Sequence, residues 1–131
     1  MFFFGKKKKD VNNESKKEEK EVLNKDEILK LVEEYENKLK DCTDTNEKIK
    51  ILNKLGSLYF DISETDKAIK YYEESLEEKL EMGKAYTDLM KLYNIKRKEA
   101  TENKDDESMK LYMSKIDELM KISKDMIRGR I

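Results

Sequence analysis

From residue 26 onward, apolar side chains recur three or four positions apart, the spacing that places them on one side of an α-helix. Five such stretches follow one another. The first carries Ile28, Leu31, Val32, Tyr35 and Leu39, and the second Ile51, Leu52, Leu55, Leu58 and Tyr59. The third carries Ala68, Ile69, Tyr72, Ser75 and Leu76; the fourth carries Ala85, Tyr86, Leu89, Leu92 and Tyr93 and runs on past Arg97. The fifth carries Met109, Tyr112, Met113, Ile116, Leu119, Met120 and Ile127. Polar segments, "DCTDTNE", "DISETD" and "ENKDDES", break the pattern. Residues 43–45 suit one helix start and Ser63 or Thr65 the next, because short side-chain oxygens accept from the free N–H groups of a first turn. The chain is expected to turn around residues 81–83, with Gly83 at a helix C-terminus or tight connection. No strand-like alternation bounded by hairpin turns is present. The pattern predicts an all-α chain of five helices, with sequential neighbours antiparallel.

The first 24 residues read differently. Between residues 6 and 20 the only aliphatic side chain is Val11, among Lys, Glu, Asn, Asp and Ser. Such a segment buries too little apolar surface to offset its ordering entropy. The expected organisation is a disordered charged tail over 1–24, with some helix toward residues 18–23, and a helical domain over 25–131.

The helical stretches also match one another. "KILNKLGSLY" (50–59) and "KAYTDLMKLY" (84–93) align at an offset of 34 residues. "DEILKLV" (26–32), "DKAIKYY" (66–72) and "DESMKLY" (106–112) align at a constant offset of 40. A fixed period in this range marks stacked helix pairs. The stretch from residue 52 to 80 resembles a tetratricopeptide repeat, through Leu52, Leu55-Gly56, Tyr59, Ala68, Tyr72 and Ser75. It departs from that motif in having Leu52 where tryptophan is usual and no terminal proline. The unit starting at Lys84 has Met90 at the glycine position and extra residues before its second helix. The resemblance covers residues 45 to 128 and implies an antiparallel helix-pair solenoid, with the first helix as a half-repeat and the last as a cap. The outer face of that cap is expected to be polar. Gly56 costs its helix about 1 kcal/mol relative to alanine. Its expected role is to let the facing helix approach near Tyr72.

Composition narrows the functional classes. The chain of 131 residues is 45% charged, yet acids and bases nearly cancel to a net charge of −1. That lacks the basic footprint of a nucleic-acid binder. There is no histidine, which removes the commonest general base and metal ligand. The single Cys42 cannot make an intrachain disulfide or a cysteine-rich zinc site, and it reads as a small packing residue in a reduced, cytoplasmic protein. Glu33, Glu34, Glu73 and Glu74 read as solvated surface rather than as catalytic pairs. No catalytic residue, cofactor or metal site is expected, and the chain reads as non-enzymatic.

The candidate site is then a binding face. By the resemblance, Lys50, Asn53, Lys54, Ser57 and Phe60 on the second helix line a concave groove. Lys84, Thr87, Asp88, Lys91 and Asn94 on the fourth line it too. Lysines and asparagine there suit a carboxylate or the backbone amides of a protein or peptide partner, and Phe60 suits an apolar anchor. The start of the chain offers an alternative. Phe2, Phe3 and Phe4 suit a membrane interface while Lys6, Lys7, Lys8 and Lys9 meet anionic lipid, each lysine contributing about 1 kcal/mol. That reading makes the protein a weakly tethered membrane-surface adaptor. The apolar run is far short of the roughly 20 residues that span a bilayer. So short an array is also expected to lean on a homodimer contact or on a partner covering one end.

Overall fold

The computed structural model describes residues 23–129. Five helices account for most of them: α1 (Lys25–Asp41), α2 (Thr45–Asp61), α3 (Thr65–Glu78), α4 (Lys84–Glu102) and α5 (Asp106–Ile127). Among the described residues there is no strand, and no helix is long and apolar enough to cross a membrane. The expected disordered tail, with its membrane-contact residues Phe2, Phe3, Phe4, Lys6, Lys7, Lys8 and Lys9, lies outside the described residues apart from Leu23 and Asn24. Asn24, assigned to the tail from the sequence, caps α1. Its Oδ1 accepts from the Glu27 N–H at 2.8 Å, while Glu27 Oε1 accepts from the Asn24 N–H at 3.1 Å. This reciprocal pair satisfies two donors that the first turn leaves free.

Asp44 caps α2 through the Glu47 N–H, within the expected window. The start of α3 is a correction. Neither Ser63 nor Thr65 caps it; Glu64 occupies the cap position without a side-chain bond. Ser63 instead closes α2, at φ 62°, donating its N–H to the Phe60 carbonyl while Glu64 donates to Tyr59. The turn is so short that the residue ending one helix abuts the start of the next. Lys104, at φ 57°, closes α4 in the same way, with its N–H on Thr101 and that of Asp105 on Ala100. Both are left-handed helix ends of the Schellman type, built without glycine. Gly83 falls in the expected connection rather than at a helix C-terminus: it is the N-cap of α4 at φ −137°, and α3 has already ended at Glu78. A Cβ added there meets nothing, so the position does not require glycine.

Cross-helix contacts give the register. Lys48 meets Glu78 at 2.7 Å and the Tyr59 and Tyr71 rings stack at 5.8 Å, which sets α2 and α3 antiparallel. Tyr72 meets Asp88 and Asp66 meets Lys96 between α3 and α4; Tyr86 meets Leu119 and Tyr93 meets Tyr112 between α4 and α5. Consecutive helices pack on one another, and α2 also touches α4. The backbones of α3 and α5 do not approach.

The core is an apolar seam that includes Ile28 and Val32 of α1, Leu52, Leu55 and Leu58 of α2, Ala68, Ile69 and Tyr72 of α3, and Leu89 and Leu92 of α4. Gly56 lies against the Tyr72 ring, and a Cβ there would stand 2.9 Å from three ring carbons. The expected close approach is therefore present, and Tyr72 is fully buried beneath it. Cys42 ends α1, half-buried against the core, its thiol donating to the Asp44 carbonyl at 3.3 Å. The polar outer face expected of α5 is corrected. Leu119 is its only buried residue, while Met113 is 49%, Met120 48% and Ile127 78% exposed. Only α4 packs closely on α5, and one neighbour covers a narrower arc than its apolar residues span.

Candidate interaction surfaces

Four tyrosine hydroxyls tie the helices together through carboxylates. Glu36 on α1 accepts from Tyr59 of α2 at 3.3 Å and from Tyr71 of α3 at 2.8 Å. Glu73 on α3 accepts from Tyr93 of α4 and from the Lys115 ammonium of α5 at 3.2 Å. Each carboxylate thus bridges its own helix to the next two. Lys67 lies over the Tyr59 ring and Lys115 over the Tyr93 ring, so a cation from the following helix accompanies each of these tyrosines. Glu73 corrects the solvated reading: it is half-buried and structural. Burial, reinforced by the neighbouring carboxylate, raises the phenol pKa of Tyr59, Tyr71 and Tyr93 above its ordinary value.

Asp88 has moved furthest from its expected place. It is 5% exposed, below the surface of α4, and its Oδ2 accepts from the Tyr72 hydroxyl at 2.7 Å and the Lys84 ammonium at 2.8 Å. A buried carboxylate needs such partners. Burial and then the Asp88 hydrogen bond push the Tyr72 phenol well up, with Ser57 opposing as a donor to it. Asp88, Lys84 and Ser57 therefore belong in part to the packing of α2, α3 and α4. Phe60 is half-buried and packs against the core, so it covers a helix end rather than standing out as an anchor.

The remaining expected residues do lie at the surface. Lys50, Lys54, Thr87, Lys91 and Asn94 are exposed. Lys50 is 3.7 Å from Glu47, with both side chains mostly in solvent. Asn94 donates its side-chain amide to the Met90 carbonyl at 3.0 Å. Asn53 sits between them and the core. Its Oδ1 is buried without a hydrogen-bond partner. It lines a cavity of about 30 Å³ shared with Ser75, Leu76, Lys79, Glu81, Gly83, Lys84 and Ala85. The touching helices α2 and α4 bring these two sets of residues to neighbouring elements.

A second surface was not legible as a site. Leu76 and Leu80 face Leu119 and Ile122 across a groove of about 320 Å³, with Leu89 and Tyr93 of α4 also lining it. Glu73, Glu77, Lys115 and Glu118 complete the lining. It exists because α3 and α5 both pack on α4 while their backbones stay apart, joined by the Glu73–Lys115 pair. The only sequence signal was that Leu76 and Leu80 continue the apolar spacing of α3 past its C-terminal end at Glu78. Among the described residues, no cluster of three or more Cys, Asp or Glu side chains is placed to hold a metal ion. Compared with protein-family models, curated proteins and solved structures, the chain finds no match.

Proposed function

We propose that this chain is a non-catalytic protein-interaction module of tetratricopeptide type, whose α2 and α4 hold an extended peptide or a partner helix. The repeat reading is supported by two helix pairs closed by the same left-handed turn and by the Gly56–Tyr72 approach. It is supported too by two carboxylates that each bridge three successive helices. The lone cysteine suits a reducing, cytoplasmic setting.

The observation that carries the binding face is Asn53. A buried acceptor left unpaired costs about 1–3 kcal/mol. The adjoining cavity of about 30 Å³ has room for one water, through which a backbone N–H of an extended peptide would recover that energy. Lys54 and Lys91, unpaired among the described residues, together with the weakly paired Lys50, add cations suited to carboxylates.

Selection from a displayed peptide library tests this reading. Acidic, extended peptides are expected to emerge. Asn53→Ala is expected to weaken them about tenfold, and Lys50→Glu/Lys54→Glu/Lys91→Glu to abolish binding at unchanged helicity. Lys84 is left intact because it partners Asp88. Retention of the same peptides by both variants would contradict the reading.

A further inference from the structure

The groove between α3 and α5 meets the α2–α4 face only at Leu76, which also borders the Asn53 cavity, so what it binds is a separate question. Its chemistry is specific: an apolar floor with an acidic rim. Glu73 is already engaged by Tyr93 and Lys115. Glu77 and Glu118 have no ion pair among the described residues. The fitting ligand is a short aromatic segment followed directly by cations.

The chain contains that segment. Three of its four phenylalanines are Phe2, Phe3 and Phe4, and Lys6, Lys7, Lys8 and Lys9 follow after one glycine. We infer that this N-terminal segment docks intramolecularly in the α3–α5 groove, its phenylalanines on Leu76, Leu119 and Ile122 and its lysines against Glu77 and Glu118.

Reach permits it. Lys9 and Leu23 are 14 positions apart, a span of up to about 45 Å at ~3.3 Å per residue. The chain enters at the N-terminus of α1, which runs parallel to α3 and α5. From there the groove is about 20 Å along the helices and two helix spacings of roughly 10 Å across. A tether of this kind gives a local concentration in the millimolar range, so a modest contact suffices. The other apolar surface, the Met113–Met120 flank of α5, fits the segment worse. The exposed Asp117 between the two methionines on that face is flanked by exposed Lys110, Lys121 and Lys124, so it attracts Lys6 through Lys9 less than the Glu77–Glu118 pair does.

The test is paramagnetic broadening in the full chain, with a spin label at Gly5→Cys in a Cys42→Ser background. The amide signals of Leu80, Glu118 and Ile122 are expected to fall below half their diamagnetic intensity, with Lys50 and Lys54 unaffected. Glu77→Lys/Glu118→Lys, with helicity checked by circular dichroism, is expected to restore them. Absence of selective broadening would overturn the inference. So would broadening that survives the charge reversal, or broadening centred on Met113 and Met120. A mixture of labelled chain and isotope-enriched unlabelled chain separates one further case. Broadening seen there would mean that a second copy supplies the segment, and the intramolecular docking would fall.

Discussion

The two helix pairs, α2–α3 and α4–α5, are closed by the same turn and are packed very differently. In the first, Gly56 admits the Tyr72 ring, and Tyr72 is fully buried with its hydroxyl on Asp88. In the second, Met90 stands at the position matching Gly56 and Tyr112 at the one matching Tyr72. Both are half-exposed, and Tyr112 meets Tyr93 at a tilted 6.0 Å. Met90 and Tyr112 still pack against the core, and α4 and α5 stay in close contact, but neither side chain is sealed as Gly56 and Tyr72 are. The first pair also has neighbours on both sides, whereas α5 has one. The pairs differ in burial rather than in closeness: α3 buries Ala68, Ile69, Tyr71, Tyr72 and Ser75, whereas α5 buries only Leu119.

Substitutions at matched positions break this comparison, and the largest effect is expected at the crossing. Gly56→Leu should destabilise by roughly 1–3 kcal/mol in urea unfolding, because the buried Tyr72 ring cannot yield. Met90→Ala should cost under about 1 kcal/mol, being only half-buried. Equal costs would erase the contrast. Next come the hydroxyls. Tyr72→Phe removes a donor from a buried carboxylate and should cost about 1.5–3 kcal/mol. Tyr112→Phe should stay within about 0.5 kcal/mol, as its ring contacts survive.

The tyrosines also set a pH dependence. Their folded pKa values are raised, so the stability they contribute is complete below the ordinary phenol value of 10.0. Above it the unfolded chain ionises first, and stability falls as pH rises. Lys48 and Lys96, raised by their pairing with Glu78 and Asp66, act in the same direction. The urea midpoint should therefore drop steeply between pH 9.5 and 11 (on the order of one unit around those values). The drop should be shallower in Tyr71→Phe/Tyr93→Phe.

The smallest effect tests what the pairs share. Ser63→Gly and Lys104→Gly relieve the same left-handed strain, and each should stabilise by about 0.5 kcal/mol. Unequal responses would show that the two turns are not equivalent.

The helices and the Gly56–Tyr72 contact were legible because a 3.6-residue period and a misplaced glycine are local signals. The carboxylates were not. Asp88, Glu73 and Glu36 sit where a charge reads as a solvated face, and their tyrosine partners lie 16 to 35 residues away. Lys84, four residues before Asp88, was the one local hint. Likewise, the sequence tells which side of α5 is apolar but not whether a neighbour covers it. Of the candidate face, exposure of the lysines was legible. The burial of Asn53 Oδ1 and the gap between α3 and α5 follow from how helices stack, which no single helix encodes.

Native-state hydrogen exchange tests the unequal pairs most directly. Amides in the middle of α2 and α3 should exchange only through global unfolding, while those of α5 should exchange at least about tenfold faster through local opening. Equal protection of α5 and α2 would contradict the account.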